Sequence, residues 1–307
     1  MEDSVQLELE HALTFGLDGV IVCSIDADGG VSKFAAGLNN RADEIPAAPN
    51  DLFKIASIAK MYVALAAVRL AQQGVVSLDS SIQYYLPELS NQSLYLDQIT
   101  LQDLIRHRSG LPNYTDHPDF PWEEPPGTFE EHLPYIFSQE QEFKAGEDSS
   151  YSNSNYLFLA EALNRSLGYS HTNYLKDSIL IPAGLVHTYG SMHEVEMSQL
   201  MSGYFVGYPL DIKSHYFGSM VATAEDVAWF VKGLSEGKWL DQQGQRIYSK
   251  LYRFNHSGLL PGYQSWATYD QKTKRTVVQF VNTNGGYAWN IHTILYRRVC
   301  KMLSQEL

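Results

Sequence analysis

The sequence predicts a mixed α/β (α+β) fold, an antiparallel β-sheet flanked by N- and C-terminal helices with an all-helical subdomain inserted between its strands. Three observations carry this expectation. Short β-branched runs joined by turns stand near both ends of the chain, helical spacing dominates its middle, and a helical pattern both opens and closes it. The expected layout is one domain over residues 1–307, with the sheet in residues 1–50 and 220–307 and the helical part in residues 51–219.

In chain order, residues 5–15 place Leu7, Leu9, Ala12, Leu13 and Phe15 loosely on one helical side before Gly16 ends the run. Residues 20–25 and 31–36 read as two strands across the turn Asp26-Ala27-Asp28-Gly29-Gly30. From residue 57 to 73 Ala, Met, Leu and Val recur at helical spacing until Gly74, which predicts a buried helix. Further helices are expected over residues 101–106, 151–167 with Gly168 behind it, 171–180, and 223–234 opened by Thr223-Ala224-Glu225-Asp226. Residues 263–269 and 276–281 form a second hairpin pattern, and residues 289–303 a closing helix. Six of the twelve prolines fall within residues 112–134, where a long ordered loop is expected, either a stiff surface connection or a rim beside a site.

Composition narrows the function. The 307 residues are 44% hydrophobic and 19% charged, as in a folded enzyme or binder rather than a disordered or coiled-coil chain. A net charge of −13 disfavours a surface that tracks nucleic-acid phosphates. No apolar run approaches the roughly 20 residues of a membrane span. The acidic start Met1-Glu2-Asp3-Ser4 lacks an apolar signal core, which leaves a cytoplasmic chain or an exported one whose leader was removed. Cys23 and Cys300 show no metal-ligand spacing and are expected as buried free thiols, with a bridge between them as the other reading; the histidines form no H-x-x-x-H pattern, so no metal and no cofactor are expected.

Chemistry enters at Ser57-Ile58-Ala59-Lys60. On a helix a residue three positions on lies one turn above, so the Lys60 amine can reach the Ser57 hydroxyl and serve a nucleophile that needs a proton acceptor. Spacing alone is weak, since a second such pair occurs at Ser235 and Lys238, flanked by glycines in a helix-ending stretch. Ser57 has company that the second pair lacks: Tyr151-Ser152-Asn153 at the head of a helix, and His256-Ser257-Gly258 leading into the second hairpin.

These three motifs in this order resemble the serine β-lactamase and penicillin-recognising hydrolase superfamily, on its class C side, which includes class C β-lactamases, D-alanyl-D-alanine carboxypeptidases, D-aminopeptidases and β-lactamase-like esterases. Residues 52–56, 99–104, 107–112 and 219–227 resemble its connecting segments, so the likeness covers nearly the whole chain. It implies a β-lactamase/transpeptidase-like fold and a serine hydrolase that works through an acyl-enzyme on an amide, ester or lactam carbonyl of a small molecule or short peptide. Ser57 would be acylated, with Lys60 and Tyr151 handling its proton. Asn153 would hold Lys60 and the substrate carbonyl, and the N–H groups of Ser57 and Leu259 would form the oxyanion hole beside Gly258. His107 is left out as structural. The other reading is a penicillin-binding sensor that acylates with little turnover. His256 and Ser257 complete the expected substrate-binding set, and His256 stands where many relatives carry lysine, which implies weaker recognition of anionic substrates. Residues 239–256 are short relative to many relatives, implying a trimmed edge strand or cleft wall.

Overall fold

The computed structural model describes residues 2–92 and 94–304. In chain order the elements are α1 (Glu2–Leu13), β1 (Gly19–Ile25), β2 (Val31–Asn40), β3 (Ile45–Pro46), β4 (Phe53–Lys54), α2 (Ala59–Gln72), α3 (Ile82–Tyr85), α4 (Leu101–Ile105), α5 (Phe129–Phe137), α6 (Asn153–Leu167) and α7 (His171–Leu175). They continue with β5 (Thr188–Tyr189), β6 (Tyr204–Phe205), β7 (Val221–Ala222), α8 (Ala224–Ser235), α9 (Gln242–Leu251), β8 (His256–Leu260), β9 (Tyr263–Tyr269), β10 (Thr276–Val281), β11 (Thr283–Asn284) and α10 (Ala288–Ser304). The chain divides into two compact units, one of Met1–Ala59, Ile179–Lys238 and Phe254–Leu307, the other of Lys60–Ser178 and Trp239–Arg253.

The first unit is built on an antiparallel sheet ordered β3-β2-β1-β10-β9-β8. Its centre joins the two ends of the sequence, with Val20 opposite Val281 and Ile25 opposite Thr276. Every residue of β1 and β10 is buried, because helices cover both faces. On one face Val5, Leu9 and Ala12 of α1 and Leu295, Val299 and Leu303 of α10 pack against Val20, Val22, Val277 and Val281. Amphipathic α8, capped by Thr223 accepting the Asp226 N–H at 3.2 Å, packs on β1, β9 and β10. Cys23 is a buried thiol in β1, pushed up to about 12 chiefly by burial, and Cys300 is a half-buried thiol in α10.

The second unit is helical. Ten of the fourteen residues of α2 are buried, including apolar residues all around its axis, which makes it a central helix rather than an amphipathic one. Capping boxes start α4 at Thr100 and Asp103 and α5 at Thr128 and Glu131, and Gly168 stops α6 in the left-handed conformation at φ 75°. Asp241 caps α9 and also accepts the Gln72 amide at 2.7 Å, which ties that helix to the end of α2. Among the described residues no helix is long and apolar enough to cross a membrane.

Several expectations need correction. The helical part is not residues 51–219, since β5 pairs with β7 and β6 with β11 and so draw residues 179–219 into the sheet unit, whereas residues 239–253 fold as α9 with the helices. The proline-rich stretch is not loop throughout, because α5 begins at Phe129 and runs through Pro134; the capping box of Thr128 and Glu131 outweighs one lost helical hydrogen bond. The helix expected over residues 171–180 leaves α geometry after Leu175 and continues as a π turn over Lys176–Leu180.

His292 of α10 is fully buried, and its Nδ1 accepts the Gln279 amide of β10 at 3.1 Å. Burial lowers its pKa from 6.5 to about 3. Unfolded chains then bind a proton that the folded chain refuses between those values, so this residue's contribution is present in full above pH 6.5 and is lost as pH falls towards 3. Urea unfolding across pH 4–7 is expected to show a stability slope to which His292 adds up to about 1.4 kcal/mol per pH unit. His292→Gln should lower that slope by about one proton; an unchanged slope would contradict the assignment.

Candidate active site

The predicted site residues fall into two groups, one in each unit. In the helical unit Lys60 is the second residue of α2 and is only 8% exposed. Its Nζ donates to Asn153 Oδ1 at 2.8 Å and lies 5.1 Å from the Tyr151 ring centre and 5.6 Å from that of Tyr156. Lys60, Tyr151 and Asn153 are thus brought together from points some ninety residues apart. Tyr151 is 41% exposed, so its phenol reaches solvent while the ammonium beside it is shielded.

A network of polar groups fixes Asn153 and Tyr151. Asn153 is the first residue of α6; its backbone N–H donates to Asn113 Oδ1 at 2.9 Å and its side-chain amide to Thr115 Oγ1 at 3.1 Å, which leaves the amide oxygen aimed at Lys60. His107 is buried, in left-handed backbone at φ 56°, and its Nδ1 lies 3.3 Å from the Ser152 N–H and 3.1 Å from the Asn155 amide. Its ring stacks obliquely on Tyr151 at 4.4 Å. His107 is therefore a positioning residue beneath the Tyr151-Ser152-Asn153 motif. Asn113, Thr115 and Tyr156 were not found from sequence. The first two sit just inside the proline-rich stretch, and only the tertiary fold shows that this stretch turns back on α6.

In the sheet unit Ser57 lies in a single 3₁₀ turn, Ala56–Ile58, that runs directly into α2. Lys60 follows it by three residues on this continuous helical run. Ala56 is left-handed at φ 53°, a conformation that costs a non-glycine residue about 1–3 kcal/mol. Its neighbours hold it there: the Ala56 N–H donates to Ser219 Oγ at 2.9 Å, the Ile55 N–H to the Met220 carbonyl at 3.1 Å, and Ser265 Oγ to the Ile55 carbonyl at 3.0 Å. Ser219 and Ser265 also escaped sequence reading.

Edge strand β8 lies against this turn. Gly258 faces Ser265 across the β8–β9 ladder, and a Cβ on it would come within 2.5 Å of the Ile55 carbonyl oxygen and 2.3 Å of Ser265 Oγ. Only glycine lets β8 approach the Ser57 turn this closely. Ser257 and Leu259 alternate to the exposed side, whereas His256 is buried, with its Nδ1 hydrogen-bonded to the Ser257 carbonyl. Among the described residues no cluster of three His, Cys, Asp or Glu side chains is arranged to hold a metal ion.

A covered antiparallel sheet, with a helical unit folded from sequence between its strands, is the architecture of the serine β-lactamases and penicillin-binding proteins. The family model described as Beta-lactamase matches residues 10–253, and the chain belongs to that family. It is 26% identical over 197 residues to penicillin-binding protein 4* of Bacillus subtilis (strain 168), covering 62% of this chain and 42% of that protein. The chain spans about half the length of the curated relatives it matches. Its fold is similar to that of a D-amino acid amidase from Ochrobactrum anthropi SV3, with a TM-score of 0.85 at 21% identity over 99% of this chain and 98% of the other. It is also similar to a class C beta-lactamase from Rhodobacter sphaeroides, with a TM-score of 0.76 at 18% identity over 98% and 99% of the two chains.

Gly258→Ala tests the close approach of β8. A methyl group meeting a backbone carbonyl forces the strand outward, and the expected loss is about 1–3 kcal/mol in urea unfolding. An unchanged unfolding midpoint would show that β8 does not rest on the Ser57 turn.

Proposed function

We propose that the chain is a serine hydrolase that forms an acyl-enzyme on Ser57 and acts on amides and esters without a carboxylate in preference to carboxylate-bearing lactams. The observation that carries the reading is the buried Lys60 Nζ, held by Asn153 Oδ1 at 2.8 Å beside the Tyr151 ring and one helical turn along the chain from Ser57. Ser57 Oγ attacks the carbonyl carbon while its proton passes to the Lys60–Tyr151 pair in the state one proton short of ammonium plus phenol, either amine beside phenol or ammonium beside phenolate. The tetrahedral oxyanion forms at the N–H groups of Ser57 and Leu259, and Gly258 keeps that approach open. The pair then returns the proton to the leaving amine or alcohol, and water releases the acid and restores the serine.

Two observations favour amides and esters over carboxylate-bearing lactams. His256 is buried and its Nδ1 faces its own strand's carbonyl, so it does not extend a fixed cation as a lysine would. The likeness to a D-amino acid amidase supports an amide as the bond cleaved.

Intact-mass measurement after treatment with a fluorophosphonate is expected to show one adduct, located on Ser57 and absent from Ser57→Ala. In the same preparation a p-nitrophenyl ester and a D-amino-acid amide should be turned over with higher kcat/KM than nitrocefin. An adduct that persists in Ser57→Ala overturns the assignment of the nucleophile, and a marked preference for nitrocefin overturns that of the substrate.

A further inference from the structure

A cavity of about 380 Å³ lies in the sheet unit, lined by residues from four separate stretches: Gly16 and Asp18, Arg41, Tyr204 to Pro209, and Thr283 with Tyr287. None of these residues belongs to the groups described above. The volume falls in the range of small-molecule sites. Its polar part is a fixed pair of opposite charges. The Arg41 guanidinium stacks 4.1 Å from the Tyr204 ring centre, and the Tyr204 hydroxyl accepts the Arg41 backbone N–H at 2.7 Å, so the arginine is held at both its main chain and its side chain. Asp18 is pinned independently: its N–H donates to Thr283 Oγ1 at 2.8 Å, and that hydroxyl donates to Asp18 Oδ2 at 2.9 Å. Asp18 Oδ1 meets Arg41 Nη1 only at 3.5 Å, which leaves each group most of its hydrogen-bonding capacity.

The walls are aromatic and seated on glycine. Tyr287 packs on Gly16, where a Cβ would lie 2.6 Å from the phenol oxygen, and Phe205 packs on Gly285, where a Cβ would lie 3.0 Å from the ring. Both glycines are left-handed, with φ 93° and 90°, so neither position readily accepts another residue. Tyr287 is nevertheless 58% exposed. Rings that are fixed against backbone yet left open to water are preorganised surface for a planar apolar group.

We propose that this cavity binds a free aromatic α-amino acid in its zwitterionic form. The carboxylate pairs with the planar fork of Arg41, the ammonium with Asp18 Oδ1, and the ring lies between Tyr208 and Tyr287. A net-neutral charge pair suits a zwitterion better than a simple anion or cation, because either single charge would meet one attractive and one repulsive partner at the same distance. The aromatic walls select the side chain.

Isothermal titration of the full chain with phenylalanine, phenylacetate and 2-phenylethylamine tests the assignment. Phenylalanine is expected to bind saturably at one site per chain, and each singly charged analogue at least about ten-fold more weakly. Arg41→Gln and Tyr208→Ala should each weaken phenylalanine binding by a similar factor; Tyr208 lies on a surface loop, so its variant serves should Arg41→Gln fail to fold. Ester hydrolysis is expected to be unchanged in Tyr208→Ala, which separates this site from the Ser57 reaction. Lack of saturable binding, equal binding of phenylacetate, or binding of wild-type strength in both variants would overturn the proposal, the last by placing phenylalanine elsewhere on the protein.

Discussion

An ammonium group taken out of water must be met by acceptors, and in the helical unit that requirement falls on Lys60. Burying a charge without partners costs several kcal/mol. Asn153 Oδ1 meets it directly, and two ring faces add weaker attraction. Asn153 can do so only because its other polar atoms are engaged elsewhere, by Asn113 and Thr115. The start of α6, the turn after Pro112 and the His107 ring under Tyr151 are therefore parts of one arrangement that gives a buried cation a fixed position.

The sheet unit meets a different constraint at Ser57. The helical run that carries Ser57 has a sharp entry, a left-handed alanine held by hydrogen bonds on both sides. Ser265 joins that turn to β9, and Gly258 allows β8 to lie beside it. Sheet register thus decides which backbone N–H groups stand near the serine. The long central strands β1 and β10, buried on both faces, supply the rigidity that such placement requires.

What could be read from sequence follows the range of each interaction. The hairpins over β1–β2 and β9–β10, the buried α2 and the helix capped by Thr223 announce themselves through local periodicity and turn residues, and all four are present. Helix α5 had a legible local signal in Thr128 and Glu131, which the surrounding prolines masked. Helix α9 carries few apolar residues, and its cap Asp241 meets Gln72, a contact between residues far apart in sequence. The same division holds at the site. Lys60, Tyr151 and Asn153 stand in short motifs, and Lys60 lies against the other two, whereas Asn113, Thr115, Ser219 and Ser265 act through long-range hydrogen bonds that leave no mark in spacing.

The claim on which the reaction rests is that Lys60 handles the Ser57 proton rather than merely filling space at the start of α2. Single-turnover acylation of Lys60→Met, a substitution that keeps an unbranched side chain one atom shorter and removes the amine, measures this most directly. With the unfolding midpoint retained, the acylation rate should fall by about 10²–10⁴-fold, the usual contribution of a positioned proton-transfer group. A well-folded Lys60→Met protein that acylates at the wild-type rate would contradict the account.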